Sequence, residues 1–146
     1  MRLKVVAAGK LREPYLRAAA DDYLSRLRHY LPAEVVEVAG SPPAKLARAM
    51  IRALPDSHEL WVLDPAGKQP TSHELAHWLG ERMDQGTKGI AFVIGAAEGV
   101  PHEVLARAHR RVSLSRLTLP HRLARLFLLE QLYRSMTILR GEPYSK

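Results

Sequence analysis

The sequence predicts an α/β domain with a mostly parallel sheet and helices on both of its faces. Apolar runs rich in β-branched residues alternate with helical patterns five times along the chain. The run 90–94 is apolar without interruption, which is typical of a strand buried on both faces. No linker, repeat or low-complexity tract divides the 146 residues, so we expect one domain over 1–146.

Each expected strand is a short apolar segment bounded by polar or turn-forming residues. The first strand, 3–8, reads Leu-Lys-Val-Val-Ala-Ala, and the second, 34–38, contains three valines. The third strand, 60–63, and the fourth, 90–94, contain apolar residues only. The fifth strand, 112–114, reads Val-Ser-Leu and is the shortest of the set.

The expected helices have apolar residues at helical spacing and recognisable ends. In chain order they cover 15–30, 44–54, 71 or 72 to 86, 101–109 and 122–139. Thr71 or Ser72 is a natural N-cap for the third helix, and Gly86 ends it. Pro101 suits the first position of the fourth helix.

Ligands of parallel sheets bind beyond the carboxyl ends of the strands. In this chain those ends are followed by 9–10, 64–68, 95–99 and 115–120. Glycines in 64–68 and 95–99 allow the backbone to approach a ligand closely. The segment 115–120 carries apolar residues in a loop position, which must be buried against something. It is either an ordinary buried connection or the wall of a pocket for a flat apolar ligand.

The net charge of +7 is confined to one part of the chain. Residues 1–103 hold 13 basic and 13 acidic side chains, whereas residues 104–146 hold nine basic and two acidic ones. Eight of those nine are arginine, which binds phosphate bidentately and stacks on bases. This pattern favours a polyanionic partner such as RNA, and the alternative is a solubilising surface without a partner.

The composition excludes several classes of protein. The chain has no cysteine, so disulfides and thiolate metal sites are excluded. The apolar run at the amino end is too short for a signal peptide, and no stretch approaches the roughly 20 apolar residues that span a bilayer. We therefore expect a soluble, cytoplasmic protein.

Three motifs suggest other chemistry and fail on their context. His73-Glu-Leu-Ala-His77 has the zinc-protease spacing, but both histidines lie away from the apolar stripe of their helix and no third ligand follows. Gly67-Lys68 lacks the other residues of a phosphate loop, and 95–99 lacks the dinucleotide spacing. We expect no metal, and a metallohydrolase stays open only as a rival that metal analysis can test.

An ordered set of motifs spans essentially the whole chain. The set consists of 93–99 (Val-Ile-Gly-Ala-Ala-Glu-Gly), 114–121 (Leu-Ser-Arg-Leu-Thr-Leu-Pro-His), 130–134 (Glu-Gln-Leu-Tyr-Arg) and 140–144 (Arg-Gly-Glu-Pro-Tyr), with 6–11 and 63–68 nearer the amino end. Together they resemble the RlmH family, the ribosomal RNA large subunit methyltransferases H of the SPOUT class. The resemblance implies a SPOUT-like fold with a C-terminal trefoil knot, a homodimer, and S-adenosyl-L-methionine as methyl donor. The implied reaction is methylation of the N3 position of a pseudouridine in 23S rRNA on assembled ribosomes.

The resemblance also implies roles for particular residues. The expected donor-binding residues are Leu63, Gly95, Leu114, Ser115, Arg116, Leu117, Thr118 and Leu119. The candidates for holding RNA phosphate are Lys10, Arg122, Arg125, Arg134 and Arg140. His121 is the first candidate for the base that removes the N3 proton, and Tyr144 is a second candidate as an orienting group. A purely structural role for His121 is equally compatible with the sequence.

The chain departs from the family pattern at two positions. Ala96 stands where the family usually has a glycine, which predicts a less free or slightly displaced loop. Ser145 stands where the family usually has histidine, so a role of that histidine is absent here. Two further functions stay open, namely a non-catalytic RNA-binding or ribosome-assembly protein of the same fold, and a methyltransferase acting on another RNA.

Overall fold

The computed structural model describes residues 1–144, so Ser145 and Lys146 lie outside the described residues. The strands are β1 (Arg2–Ala8), β2 (Ala33–Val38), β3 (His58–Lys68), β4 (Gly89–Ile94) and β5 (Arg110–Val112). The helices are α1 (Pro14–Leu27), α2 (Pro43–Ala53), α3 (Ser72–Asp84), α4 (His102–Leu105) and α5 (His121–Leu139). The strands form one sheet in the order β2-β1-β4-β3-β5, and every pairing is parallel. The predicted α/β class and the parallel sheet are confirmed.

Helices cover both faces of the sheet, as predicted. Val5 and Phe92 point to one face, where they pack with apolar residues of α1, α3 and α5. Val6 and Val93 point to the other face, where they pack with α2 and with Val104 of α4. The central strand β4 is buried at all six positions, because it has neighbours on both faces and on both edges. Among residues 1–144, no helix is both long and apolar enough to cross a membrane.

Three elements, β3, α4 and β5, differ most from the prediction. β3 covers His58–Lys68, whereas the predicted strand covers 60–63. α4 covers only His102–Leu105, and the chain then turns so that His109 is held against β3. The Leu60 N–H donates to His109 Nδ1 at 2.8 Å, and the His109 N–H donates to the Leu60 carbonyl at 2.8 Å. β5 begins at Arg110, two residues before the predicted start, and ends at Val112. The first two residues of β5 are arginines, which give no strand signal in the sequence.

Arg110 is accommodated in a strand because its guanidinium lies over the rings of two tryptophans. The guanidinium carbon lies 4.8 Å from the Trp61 ring centroid and 4.0 Å from that of Trp78. A cation over an aromatic face is stabilised by the ring quadrupole. The positive charge of Arg110 is thus accommodated against side chains from β3 and α3.

Candidate functional site

A cavity with a volume of about 580 Å³ opens at the carboxyl end of the sheet. This size lies within the ~300–1,000 Å³ typical of small-molecule sites. Three segments form its walls, namely the second half of β3 and the segments that follow β4 and β5, and the first turn of α5 closes one side. The ends of three neighbouring parallel strands therefore meet at one site, as expected for this class of sheet.

The wall formed by the second half of β3 is an irregular strand segment that is stabilised by a hydrogen bond of its own. The Asp64 carboxylate accepts a hydrogen bond from the Ala66 N–H at 3.0 Å, which closes a short turn. The strand pairing with β5 shifts between Leu63 and Lys68, and both residues pair with Val112. A Cβ on Gly67 would lie 2.6 Å from a backbone carbon, so only glycine allows this approach.

The wall beyond β4 is a tight turn that folds back onto the end of the strand. The Gly99 N–H donates to the Ala96 carbonyl at 2.9 Å, and Gly99 has φ +91°. A Cβ on Gly95 would lie 2.3 Å from the carbonyl carbon of Gly99, so the turn requires glycine at position 95. None of the non-glycine residues among 1–144 has positive φ, so Ala96 fits this turn without backbone strain.

The wall beyond β5 is held by side-chain hydroxyls. The buried Ser113 hydroxyl donates to the Ser115 carbonyl at 3.1 Å, and the Ser115 hydroxyl accepts from the Leu117 N–H at 2.9 Å. The Ser113 N–H also donates to the Lys68 carbonyl at 2.7 Å, which connects this wall to the wall formed by the second half of β3. Leu117 is 78% exposed at the rim. The segment therefore keeps a defined shape without regular secondary structure.

The structure brings all the expected donor-binding residues together. The lining includes Leu63, Gly95, Leu114, Ser115, Arg116, Leu117, Thr118 and Leu119. His121, at the first turn of α5, also lines the cavity. The donor-binding role of these residues stays a prediction. Asp64, Gly67 and Ser113 also line the cavity, although they are not among the expected donor-binding residues. Asp64 and Gly67 belong to 64–68, a segment that the sequence predicts at the carboxyl end of a strand.

Tyr144 lies elsewhere in the same chain. Its hydroxyl donates to Glu130 Oε2 at 2.8 Å, and its ring lies edge-on to Tyr133 with centroids 4.7 Å apart. Glu130 is nine residues beyond His121 on α5, which is about 13 Å at 1.5 Å per residue. Burial and the hydrogen bond to Glu130 raise the pKa of Tyr144 above its ordinary value. Tyr144 therefore stays a neutral hydrogen-bond donor and does not share a cavity with His121 in one protomer.

The structure contradicts the assignment of Arg125 to RNA phosphate. Its side chain is 4% exposed, with Nη1 hydrogen-bonded to Glu37 and Nη2 donating to the Gly9 carbonyl at 2.9 Å. Glu37 also binds the Arg17 guanidinium at 2.9 Å and the Leu11 N–H at 2.9 Å. Arg125 is thus an internal connection between α5, β2 and the end of β1, and phosphate cannot reach it in this conformation.

The other predicted phosphate ligands are at least partly accessible. Lys10 is exposed, and Arg122 is 54% exposed while paired with Glu13 at 3.0 Å. Arg134 is half-buried, pairs with Glu130 at 2.7 Å and lies over the Tyr144 ring. Arg140 is exposed, with its guanidinium 5.2 Å from the ring centroid of Tyr30. None of these contacts tests whether the four residues bind phosphate, so that role stays a prediction.

The zinc-protease spacing does not assemble a metal centre in the described part of the chain. His73 and His77 are both exposed on α3, and His77 Nε2 lies 3.6 Å from Glu81. Across residues 1–144, no group of three or more His, Cys, Asp or Glu side chains is arranged to hold a metal ion. The two histidines lie four residues apart on the exposed face of an amphipathic helix, which accounts for their spacing without a metal.

Comparisons with known proteins agree with this geometry. Residues 1–145 match the family model described as "Predicted SPOUT methyltransferase". The chain belongs to the SPOUT methyltransferase family. It is 45% identical over 145 residues to the Sorangium cellulosum (strain So ce56) protein named ribosomal RNA large subunit methyltransferase H, with 99% of each chain covered. A protein of the same name from Anaeromyxobacter dehalogenans (strain 2CP-C) is 46% identical with both chains covered completely, and one from Geobacter sp. (strain M21) is 39% identical with 99% of this chain and 98% of the relative covered.

These matches confirm the family resemblance on which the site residues were assigned. They extend over the amino half as well as the carboxyl half of the chain. Membership identifies this SPOUT protein as a methyltransferase.

Proposed function

We propose that this SPOUT methyltransferase transfers a methyl group from S-adenosyl-L-methionine to the N3 position of a pseudouridine in 23S rRNA. The observation that carries the proposal is the single cavity in which all eight expected donor-binding residues meet. The names of the full-length relatives support a large-subunit ribosomal RNA as the substrate. The family resemblance implies assembled ribosomes as its setting, and the protein would then act in the cytoplasm.

The cavity fits a nucleoside-like donor in shape and chemistry. Its walls are mostly apolar and backbone-rich, which suits an adenine ring, and the turn at Gly95 exposes backbone where a side chain would intrude. Asp64, Ser115 and Thr118 add polar groups at its margin. Bound there, the donor would supply an activated methyl group, and the protein would supply position and orientation.

Removal of the N3 proton is the step for which the protein must provide a group. His121 is exposed on the cavity wall at the start of α5, so its imidazole can reach a base presented at the mouth. An imidazole nitrogen can accept such a proton in general base catalysis. Tyr144 is unsuited to be that base because its pKa is raised, and we assign it an orienting role.

Joint action of His121 and Tyr144 at one donor requires two copies of the chain. The two residues are separated along α5 in one protomer, so Tyr144 would have to come from the second copy of a homodimer. Exposed apolar side chains support such a dimer, since Leu123 and Phe127 lie one turn apart on α5 with 41% and 38% exposure. A symmetric pair would present two cavities.

The tail and the cavity margin would hold RNA through its phosphates. The candidate cations have exposed or half-buried side chains; they are Lys10, Arg122, Arg134 and Arg140. Arg125 is excluded from this set because its side chain is buried. The target base would have to leave its stack to reach the cavity. Backbone contacts of this kind predict ribosome association that weakens steeply with salt.

A methylation assay on ribosomes from a strain lacking this protein tests the proposal. The purified chain and S-adenosyl-L-methionine should add one methyl group, and mass mapping should place it on N3 of a pseudouridine of 23S rRNA. A chain that binds the donor but methylates another RNA would overturn the assigned target. A chain that binds ribosomes without methylating them would favour an assembly protein of the same fold.

A further inference from the structure

Two side chains of opposite charge line the cavity, Arg116 and Asp64. Among the lining residues in the described range 1–144, Asp64 is the sole carboxylate. The excess positive charge of the chain lies in 104–146, so a negative group beside the ligand needs its own explanation.

The Asp64 carboxylate is held in place and remains largely unneutralised. Its side chain is 17% exposed, and one oxygen accepts from the Ala66 N–H at 3.0 Å. Its other oxygen lies 3.8 Å from the Arg111 guanidinium, whose side chain is 51% exposed. A pair at this distance with one solvated partner is weak, because water screens it. The negative charge at the cavity wall therefore persists.

The methyl donor and its product differ in the charge that such a carboxylate senses. In methyl transfer the S–CH3 bond breaks, its electron pair stays on sulfur, and the N–CH3 bond forms from the electron pair on the deprotonated nitrogen. A sulfonium cation thereby becomes a neutral thioether, while the amino and carboxyl groups of the compound are unchanged. A carboxylate beside the cavity attracts the first form more strongly than the second.

We propose that Asp64 is a specificity-determining residue that makes the cavity prefer the methyl donor over its demethylated product. This inference rests on the proposed use of S-adenosyl-L-methionine. Because the cation disappears in the reaction, the attraction is lost at the moment when the product must leave. Arg111 opposes Asp64, so the two residues together set the size of the preference.

Calorimetric binding to three compounds tests the proposal, using the full chain. The compounds are S-adenosyl-L-methionine, S-adenosyl-L-homocysteine, and sinefungin, in which a carbon bearing an amine replaces the methylated sulfur. The variant Asp64→Asn keeps an oxygen for the Ala66 N–H and removes only the charge. We expect about a tenfold loss of affinity for the two cationic compounds and less than about a twofold change for the neutral thioether, since one charge interaction in a partly solvated site is of this order.

Arg111→Gln is the matched control with the opposite expected sign. It removes the partner of Asp64, so the preference for the donor should rise by about twofold to fivefold at low salt. Thermal unfolding of both variants should match the parent chain, which separates charge from folding.

A loss in Asp64→Asn that is equal for all three compounds would overturn the proposal and assign Asp64 to the turn alone. No loss for any compound would also overturn it. Both outcomes leave the proposed function standing, because the parent chain still binds the donor. A parent chain that binds none of the three compounds would overturn the proposed function and this inference with it.

Discussion

Arg125 offers the sharpest test of the distinction between an RNA-facing arginine and a structural one. The change is Arg125→Met, which keeps a long apolar stem and removes the guanidinium. The side chain is 4% exposed and connects Glu37 to the Gly9 carbonyl. Its loss leaves a partly buried carboxylate and a backbone carbonyl with fewer partners. We therefore expect an effect on folding.

The loss in free energy of unfolding depends on the hydrogen-bond partners that Glu37 retains in the variant. Removing one partner of a buried ion pair costs about 3–5 kcal/mol. Glu37 is itself 23% exposed and retains the Arg17 guanidinium and the Leu11 N–H. Arg125 Nε is buried without a partner among residues 1–144, so its removal also relieves a cost. We place the net loss in free energy of unfolding at about 2–3 kcal/mol, at or just below the lower end of that range.

Arg122→Met is the matched control on the same helix. Arg122 is 54% exposed, and its pair with Glu13 should contribute less than about 1 kcal/mol. Urea unfolding at a fixed protein concentration measures both variants, since a dimer makes stability depend on concentration. With a urea dependence of about 2 kcal/mol per molar, Arg125→Met should lower the midpoint by about 1 M.

Ribosome association provides the complementary measurement. Arg122→Met should weaken association and reduce its salt dependence, whereas folded Arg125→Met should bind like the parent chain. Equal urea midpoints for the two variants, combined with a loss of association in Arg125→Met, would refute the structural assignment.

Three further predictions follow from the site and its supports. Gly67→Ala should destabilise the fold by about 2 kcal/mol, because the added Cβ would lie 2.6 Å from a backbone atom. The control Gly86→Ala has open space but φ +73°, so it should cost about 1 kcal/mol. Equal thermal stability of the two variants would contradict this prediction. His121→Gln should lower the methylation rate about 100-fold and leave calorimetric donor affinity unchanged, whereas an unchanged rate would exclude His121 as the base. Burial raises the pKa of Glu37, but hydrogen bonds from the Leu11 N–H and from Arg125 and Arg17 outweigh it, so the pKa lies below 4.5. The stabilisation is then present above that pH and is lost as pH falls through the lowered pKa, so acid unfolding should be steeper in the parent chain than in Glu37→Gln, and identical profiles would contradict it.

The repeating elements could be predicted because their signals are local. Alternation of side chains between faces and helical spacing are written in neighbouring residues, and 90–94 was recognised as a buried strand on that basis. β5 was placed two residues late because its first two residues are arginines. The stacking of Arg110 between Trp61 and Trp78 involves residues far apart in the chain, and no local pattern reveals it.

The same difference separates the site residues that the structure brings into the cavity from those that it places elsewhere. The eight donor-binding candidates lie in segments that follow strands, and parallel strands bring their carboxyl ends to one edge. Arg125 and Tyr144 lie on or after α5, where the face of the helix that a residue occupies decides its partners. Asp64 became informative only once the cavity showed that no second carboxylate lines it among residues 1–144.

The amino-acid sequence by itself determined the α/β class, the parallel sheet, the segments that form the site and the family. Tertiary structure alone decided which of the carboxyl-terminal arginines face solvent, where Tyr144 lies relative to His121, and which charge remains beside the cavity. The physical reason is range: strand and helix periods arise from adjacent residues, whereas burial and charge pairing depend on contacts such as Arg125 with Glu37, 88 residues apart. Such contacts exist only after the sheet has formed.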